Sequence, residues 1–139
     1  MEMTEYKRAF YDTAIFIYYL DKSDIFFEKT KELFADSLRK GVEIVTSTIT
    51  YEEYCVLPYR TGDKTRITNF NRFMNILKIK IFDISIDIAN MAAVLRAKYP
   101  AIKSMDALQL ATSIVSECDV FYTNDKQLLQ VEEVNVVVL

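Results

Sequence analysis

The sequence predicts an α/β domain with a central parallel sheet of four to five strands. Three observations carry that reading. Short apolar runs alternate along the chain with longer segments whose apolar residues recur at helical spacing. The runs at 120–123 and 134–138 are apolar in the manner of strands covered on both faces. Only two Gly and two Pro interrupt 139 residues, which leaves little room for irregular loops.

Residues 8–11 read as the first strand and 13–20 as a helix. Ser23 or Asp24 is placed to cap a long helix to about residue 40, in which Ile25, Phe26, Leu33, Phe34 and Leu38 fall near helical spacing and which Gly41 stops. A second strand follows at 42–46. The next helix is expected over 50–57, with Thr50-x-x-Glu53 as a capping box and Pro58 as its end. A helix at 63–77 leads to an alternating strand at 78–82. The helix at 84–98 lines up Ile88, Met91, Ala92 and Leu95 and stops before Pro100, and a helix at 106–118 is rich in Ala and Leu.

The length suits one domain over residues 1–139. The acidic start, Met1-Glu2-Met3-Thr4-Glu5, lacks the basic and apolar regions of a signal peptide. The longest apolar run, 14–20, falls short of the roughly 20 residues of a membrane span. A soluble, cytoplasmic chain with no membrane contact is expected. Cys55 and Cys118 stand apart in apolar helical patterns, as reduced, buried thiols do, and form no C-x-x-C zinc pair. Histidine is absent, which removes Ser-His-Asp and Cys-His nucleophile pairs, His-ligated zinc and His acid/base chemistry. Any catalysis falls to carboxylates, hydroxyls, Lys, Tyr or an oxygen-ligated metal.

The carboxylates are placed suggestively. Asp12 follows the first strand, Glu53 lies just past the second and Asp125 follows the fourth, while Asp106 opens the helix leading into it. Loops leaving the carboxyl ends of parallel strands gather on one edge, where ligands bind. Taken singly, Asp12, Asp106 and Asp125 suit helix caps and Glu53 the capping box, as Asp83 and Asp87 suit another helix start. Taken together, four carboxylates on one edge repel one another unless a cation neutralises them, and hard oxygen ligands favour Mg²⁺ or Mn²⁺. Such a site activates water for phosphate chemistry without histidine.

Four segments resemble the motifs of the PIN-domain family in order and spacing. They are Phe10-Tyr11-Asp12-Thr13-Ala14-Ile15-Phe16-Ile17, Ser47-Thr48-Ile49-Thr50-Tyr51-Glu52-Glu53-Tyr54, Asp106-Ala107-Leu108-Gln109-Leu110-Ala111 and Thr123-Asn124-Asp125. Ser47 and Thr50 set the register that selects Glu53 over Glu52. The resemblance implies a three-layer α/β/α sandwich and a single-strand-specific, Mg²⁺- or Mn²⁺-dependent endoribonuclease. Small members of this size resemble VapC toxins, which implies a homodimer inhibited by a cognate antitoxin. It also implies that Asp12, Glu53 and Asp106 are the main metal ligands and that Asp125 completes the cage or positions water. Thr13, Ser47 and Asn124 are then expected to hydrogen-bond metal-bound water or the scissile phosphate, with turn and cap roles as the alternative. The chain departs from the usual wording at Tyr51 and the doubled Glu52-Glu53, and it lacks a Gly in 54–60.

Net charge −3 opposes general polyanion binding. Arg60, Lys64, Arg66, Arg72, Lys78 and Lys80 nevertheless cluster with one acid, Asp63, and Arg96, Lys98 and Lys103 precede Asp106. These are either solvated helix faces or two positive rims around the acidic edge. Tyr11, Tyr18, Tyr19, Tyr51, Tyr54 and Tyr59 either stack on unpaired bases or, as is expected of most of them, pack in the core or in a dimer or antitoxin interface; Tyr51, Tyr54 and Tyr59 lie nearest that edge in sequence and are the first candidates to touch substrate. A PIN-like module that binds RNA or protein without cutting is the alternative function. A phospho-accepting domain is disfavoured, because it requires paired acids after the first strand.

Overall fold

The computed structural model describes residues 5–139. Five strands form a wholly parallel sheet: β1 (Arg8–Tyr11), β2 (Glu43–Ser47), β3 (Lys80–Phe82), β4 (Val120–Thr123) and β5 (Val136–Val138), in the order β3-β2-β1-β4-β5. Six helices connect them: α1 (Thr13–Leu20), α2 (Phe27–Arg39), α3 (Thr48–Thr61), α4 (Lys64–Ile76), α5 (Ile86–Lys98) and α6 (Ser104–Val115). A short 3₁₀ turn, Lys126–Gln130, precedes β5.

The strands are apolar on both faces because helices cover both. Phe10, Val45 and Phe121 pack with Leu95, Leu110 and Ala111 of α5 and α6. Ala9, Tyr11, Ile44 and Val120 point the other way, into a cluster with Phe16, Phe34, Cys55 and Phe70 of α1 to α4. Adjacent residues thus serve opposite layers, which is the three-layer α/β/α sandwich expected from the motifs. In register across β1 and β4, Phe10 and Phe121 stack with centroids 5.0 Å apart. Burying each such ring is worth roughly 1.5–3 kcal/mol.

The connections run outward from β1 to β2 and β3, then cross back to β4 and β5 on its other side. The order therefore reverses between β1 and β4, and a crevice opens outside their carboxyl ends.

Two local expectations are corrected. Thr50 and Glu53 form no capping box: Ser47 is the N-cap of α3, and its hydroxyl accepts from Ile49 N at 3.1 Å. Pro58 does not end α3, which continues to Thr61 and stops at Gly62 in the left-handed conformation (φ 68°). The missing proline N–H forfeits one helical bond. Pro58 itself is buried, three and four residues on from the buried Cys55 and Tyr54 and so on the same face of α3. The second helix begins at Phe27, later than Ser23 or Asp24, although the Ser23 hydroxyl still accepts from Phe26 N at 3.2 Å.

Candidate active site

An open cleft of about 460 Å³ lies at the carboxyl ends of β1 and β4, lined by Asp12, Thr13, Ala14, Ile17, Tyr18, Glu53, Asp106, Thr123, Asn124 and Asp125. Each acid arrives from a different element. Asp12 leaves β1 as the N-cap of α1, Glu53 lies in the second turn of α3, Asp106 in the first turn of α6, and Asp125 caps the turn after β4. A larger depression of about 650 Å³ between α2 and β5 gathers no comparable set, and its Asp36 is paired with Arg39 and Lys40.

Asp12 is the most constrained carboxylate. One oxygen accepts from Thr13 N at 2.9 Å, and the other from the Thr123 hydroxyl at 2.8 Å. Its own N–H donates to Tyr122 O at 3.0 Å, tying the end of β1 to β4. Burial pushes its pKa up to about 6 against the pull of those donors, and the charges of Asp106 and Glu53 push the same way. Asp106 is half-buried and is also held above the usual carboxylate range, first by burial, then by Asp125 and Glu53, with Lys103 opposing. Among the described residues, no hydrogen bond occupies the Asp106 carboxylate.

Glu53 accepts from the Thr13 hydroxyl at 2.6 Å, and it lines the cleft where its neighbour Glu52 does not. Asp125 accepts from Gln127 N at 2.9 Å, and its own N–H reaches the Thr123 hydroxyl at 3.1 Å. Thr123 therefore holds the Asp12 carboxylate as well as the turn that carries Asp125.

The other named residues divide. Thr13 lines the cleft and orients Glu53. Asn124 lines it too, but its amide donates to the Tyr18 hydroxyl at 2.6 Å. Ser47 is fully buried beneath the cleft, capping α3 and donating to the side-chain carbonyl of Gln109. Of the tyrosines, Tyr54 is buried and stacked on Phe70 at 4.1 Å, Tyr51 accepts from Asn71, and Tyr59 is 67% exposed. The positive rims are thinner than the sequence suggests, because Arg66 pairs with Asp21 at 2.7 Å and Lys98 with Glu133 at 3.2 Å.

Sequence reasoning passed over Gln109. It is 2% exposed, and its amide nitrogen lies 2.8 Å from the Thr50 hydroxyl and 3.4 Å from both Thr13 Oγ1 and Asp12 Oδ1. The available signal was a lone amide inside the apolar run Ala107-Leu108-Gln109-Leu110-Ala111, one turn after Asp106.

The donor set suits a hard divalent cation: four carboxylates with hydroxyl and amide oxygens nearby, two of the carboxylates held above the usual range by burial and by neighbouring acids. Among the described residues, no three acidic or thiol side chains enclose an ion by themselves. An ion here would keep water or substrate oxygens among its ligands, as Mg²⁺ commonly does.

The fold and the cleft define a parallel α/β protein with an acidic centre at its topological switch point. The PIN domain family matches residues 9–134, and the chain belongs to that family. PIN domains are in general nucleases that use divalent metal ions. Three solved structures share the fold over 94% of this chain. One is VapBC2 from Rickettsia felis bound to a DNA fragment from their promoter, at 19% identity and TM-score 0.71 over 98% of that chain. A toxin–antitoxin complex from Klebsiella pneumoniae aligns at 25% identity and TM-score 0.67 over 96% of its chain. DNA-bound VapBC from Salmonella typhimurium aligns at 14% identity and TM-score 0.78 over 97%. No curated protein matches the chain in sequence. Among the described residues, no helix is long and apolar enough to cross a membrane.

Proposed function

We propose that this chain is a Mg²⁺- or Mn²⁺-dependent endoribonuclease that cleaves single-stranded RNA, and that it is the toxin of a toxin–antitoxin pair. In this reading it is a cytoplasmic homodimer whose protein partner is a cognate antitoxin. The observation that carries the nuclease reading is the opposition of carboxylates: Asp12 and Asp106 are both raised in pKa by burial and by neighbouring acids in one open cleft. Uncompensated, that arrangement costs stability, and a bound cation removes the cost. The toxin reading draws on the complexes to which the fold is similar.

Asp12, Glu53, Asp106 and Asp125 would hold the ion, which when bound supplies charge for a phosphate oxygen and an activated water. The chain's own groups prepare that site. Thr123 and the Thr13 N–H fix the Asp12 carboxylate from two sides, and the Thr13 hydroxyl aims Glu53 inward. Lys103, whose charge opposes the upward shift at Asp106, is a positive charge available to an incoming phosphate.

The test is cleavage of total and single-stranded RNA with Mg²⁺, Mn²⁺ or EDTA, beside Asp12→Asn and Asp106→Asn. Metal-dependent cuts lost in both variants support the proposal. Wild type and variants equally inactive but still binding RNA or a partner protein would favour the non-catalytic module. Activity that survives both substitutions would remove the cleft from the mechanism.

A further inference from the structure

Single-stranded RNA brings a negative charge with every nucleotide to a cleft floored by acids, so charge attraction alone is a poor means of holding it there. Part of the positive charge is already committed: Arg8 pairs with Glu43 at 3.0 Å, Arg66 with Asp21, Lys98 with Glu133, and Arg39 and Lys40 with Asp36. The cleft does offer an aromatic ring, Tyr18, in its lining.

Tyr18 stands in that lining with Ala14 and Ile17, on the α1 face that also carries Thr13 at its start. Its ring is stacked on Phe26, centroids 4.5 Å apart and planes 18° from parallel. Its hydroxyl is held at 2.6 Å by the amide of Asn124, the residue before Asp125. One face is therefore backed by Phe26, and the tip is pinned to the segment that carries an active-site acid. The ring is half-buried, its Phe26 side is covered, and Tyr18 is among the residues that line the cleft. Because the Asn124 amide donates, the phenol keeps its own hydrogen for an acceptor on the cleft side.

We propose that Tyr18 is a base-stacking platform, on which an unpaired nucleobase of the RNA substrate lies while the adjoining phosphate sits over the acids. This rests on the ribonuclease reading above and adds a source of affinity to it. A ring immobilised at both back and tip loses little freedom on binding, and every base has a π-face to offer it. Bases in a duplex already stack on each other and present only their edges, so the same ring favours single strands.

The test compares a labelled oligoadenylate with an abasic ribose-phosphate oligomer of equal length. Binding is followed by fluorescence anisotropy in Mg²⁺, with every protein carrying Asp106→Asn to suppress cleavage. Expected is tighter binding of oligoadenylate by roughly 5- to 150-fold, the range for one stacked base. Tyr18→Leu should erase most of that difference and Tyr18→Phe should keep most of it, with circular dichroism reporting the fold of each. An oligoadenylate preference unchanged in Tyr18→Leu overturns the platform and leaves the ribonuclease reading standing. Equal binding of the two oligomers by the Asp106→Asn parent overturns the platform without any variant at Tyr18. Failure of the parent to bind either oligomer overturns the platform, while the ribonuclease reading stands or falls on cleavage by the wild type.

Discussion

The Ser47 hydroxyl donates to the Gln109 side-chain carbonyl, and this bond decides which way round the buried amide lies. Ser47 already accepts from Ile49 N, so its hydrogen is free for that donation. The Gln109 NH₂ is left facing Thr50 at 2.8 Å, with Thr13 and Asp12 at 3.4 Å. The Thr13 hydrogen goes to Glu53, and Thr50, 3.1 Å from Thr13, donates to it in turn. Donation thus runs one way, from Gln109 through Thr50 and Thr13 to Glu53, with a branch to Asp12.

Reversing that direction should be more damaging than interrupting it. Gln109→Glu substitutes an acceptor for the amide donor and sets a fifth carboxylate against Asp12. It is expected to weaken Mn²⁺ binding in titration calorimetry by roughly tenfold or more. Gln109→Met keeps the volume, leaves the hydroxyls with fewer partners and costs about 1–3 kcal/mol in urea unfolding. Equal metal affinity in both variants would remove Gln109 from the organisation of the acids.

Asp12 predicts an inverted pH dependence of stability. Its folded pKa of about 6 lies above the ordinary carboxylate range, so between that range and pH 6 the folded state binds more protons than the unfolded one. In EDTA, stability should fall as pH rises through that window, and the whole penalty stands at pH 7. At about 1.4 kcal/mol per unit the penalty is on the order of 3 kcal/mol. Asp12→Asn should therefore raise the metal-free melting temperature at pH 7 and lose that advantage near pH 4. A variant that melts lower than wild type at pH 7 contradicts this account.

Removing a donor to the charged form raises a carboxylate's pKa further. Thr123→Val takes the 2.8 Å bond from Asp12 and the acceptor from Asp125 N. The acid limb of the cleavage profile should move to higher pH by about 1 unit. A profile that drops in height without moving would mean that Thr123 acts only on the turn.

Glu52 and Glu53 separate by partner: the Thr13 hydroxyl meets Glu53 at 2.6 Å. Glu53→Gln should cut metal-dependent cleavage by about 100-fold or more, and Glu52→Gln by less than about twofold. The reverse ranking would transfer the ligand role to Glu52.

What the sequence made legible, and what it hid, follows from where side chains point. Residues 8–11 and 120–123 are readable as strands to the residue, because both faces are covered along most of each and the polar Arg8 and Thr123 stand only at the ends. The four acids were legible because strand ends in a parallel sheet share an edge. Thr50 misled: its spacing to Glu53 matches a cap, yet it is wholly buried and spends its hydroxyl on Gln109, Thr13 and Thr46. Pro58 misled in the same way, since local propensity says nothing of the buried face that retains it. The charge runs overstated the basic rims because Asp21 and Glu133, the partners of Arg66 and Lys98, lie 45 and 35 residues away in sequence.

The central position of β1 has a consequence for how the chain comes into being. Its neighbour β4 pairs Val120 with Ala9, so one of the first strands to leave the ribosome waits for one of the last. At about 5–20 residues per second that interval is roughly 5–20 s. Asp12 meets neither Thr123 nor Asp125 before it ends. The cleft is thus assembled only as synthesis of these segments finishes, and a nascent chain arrested before β4 carries three of the four acids and no centre to hold them.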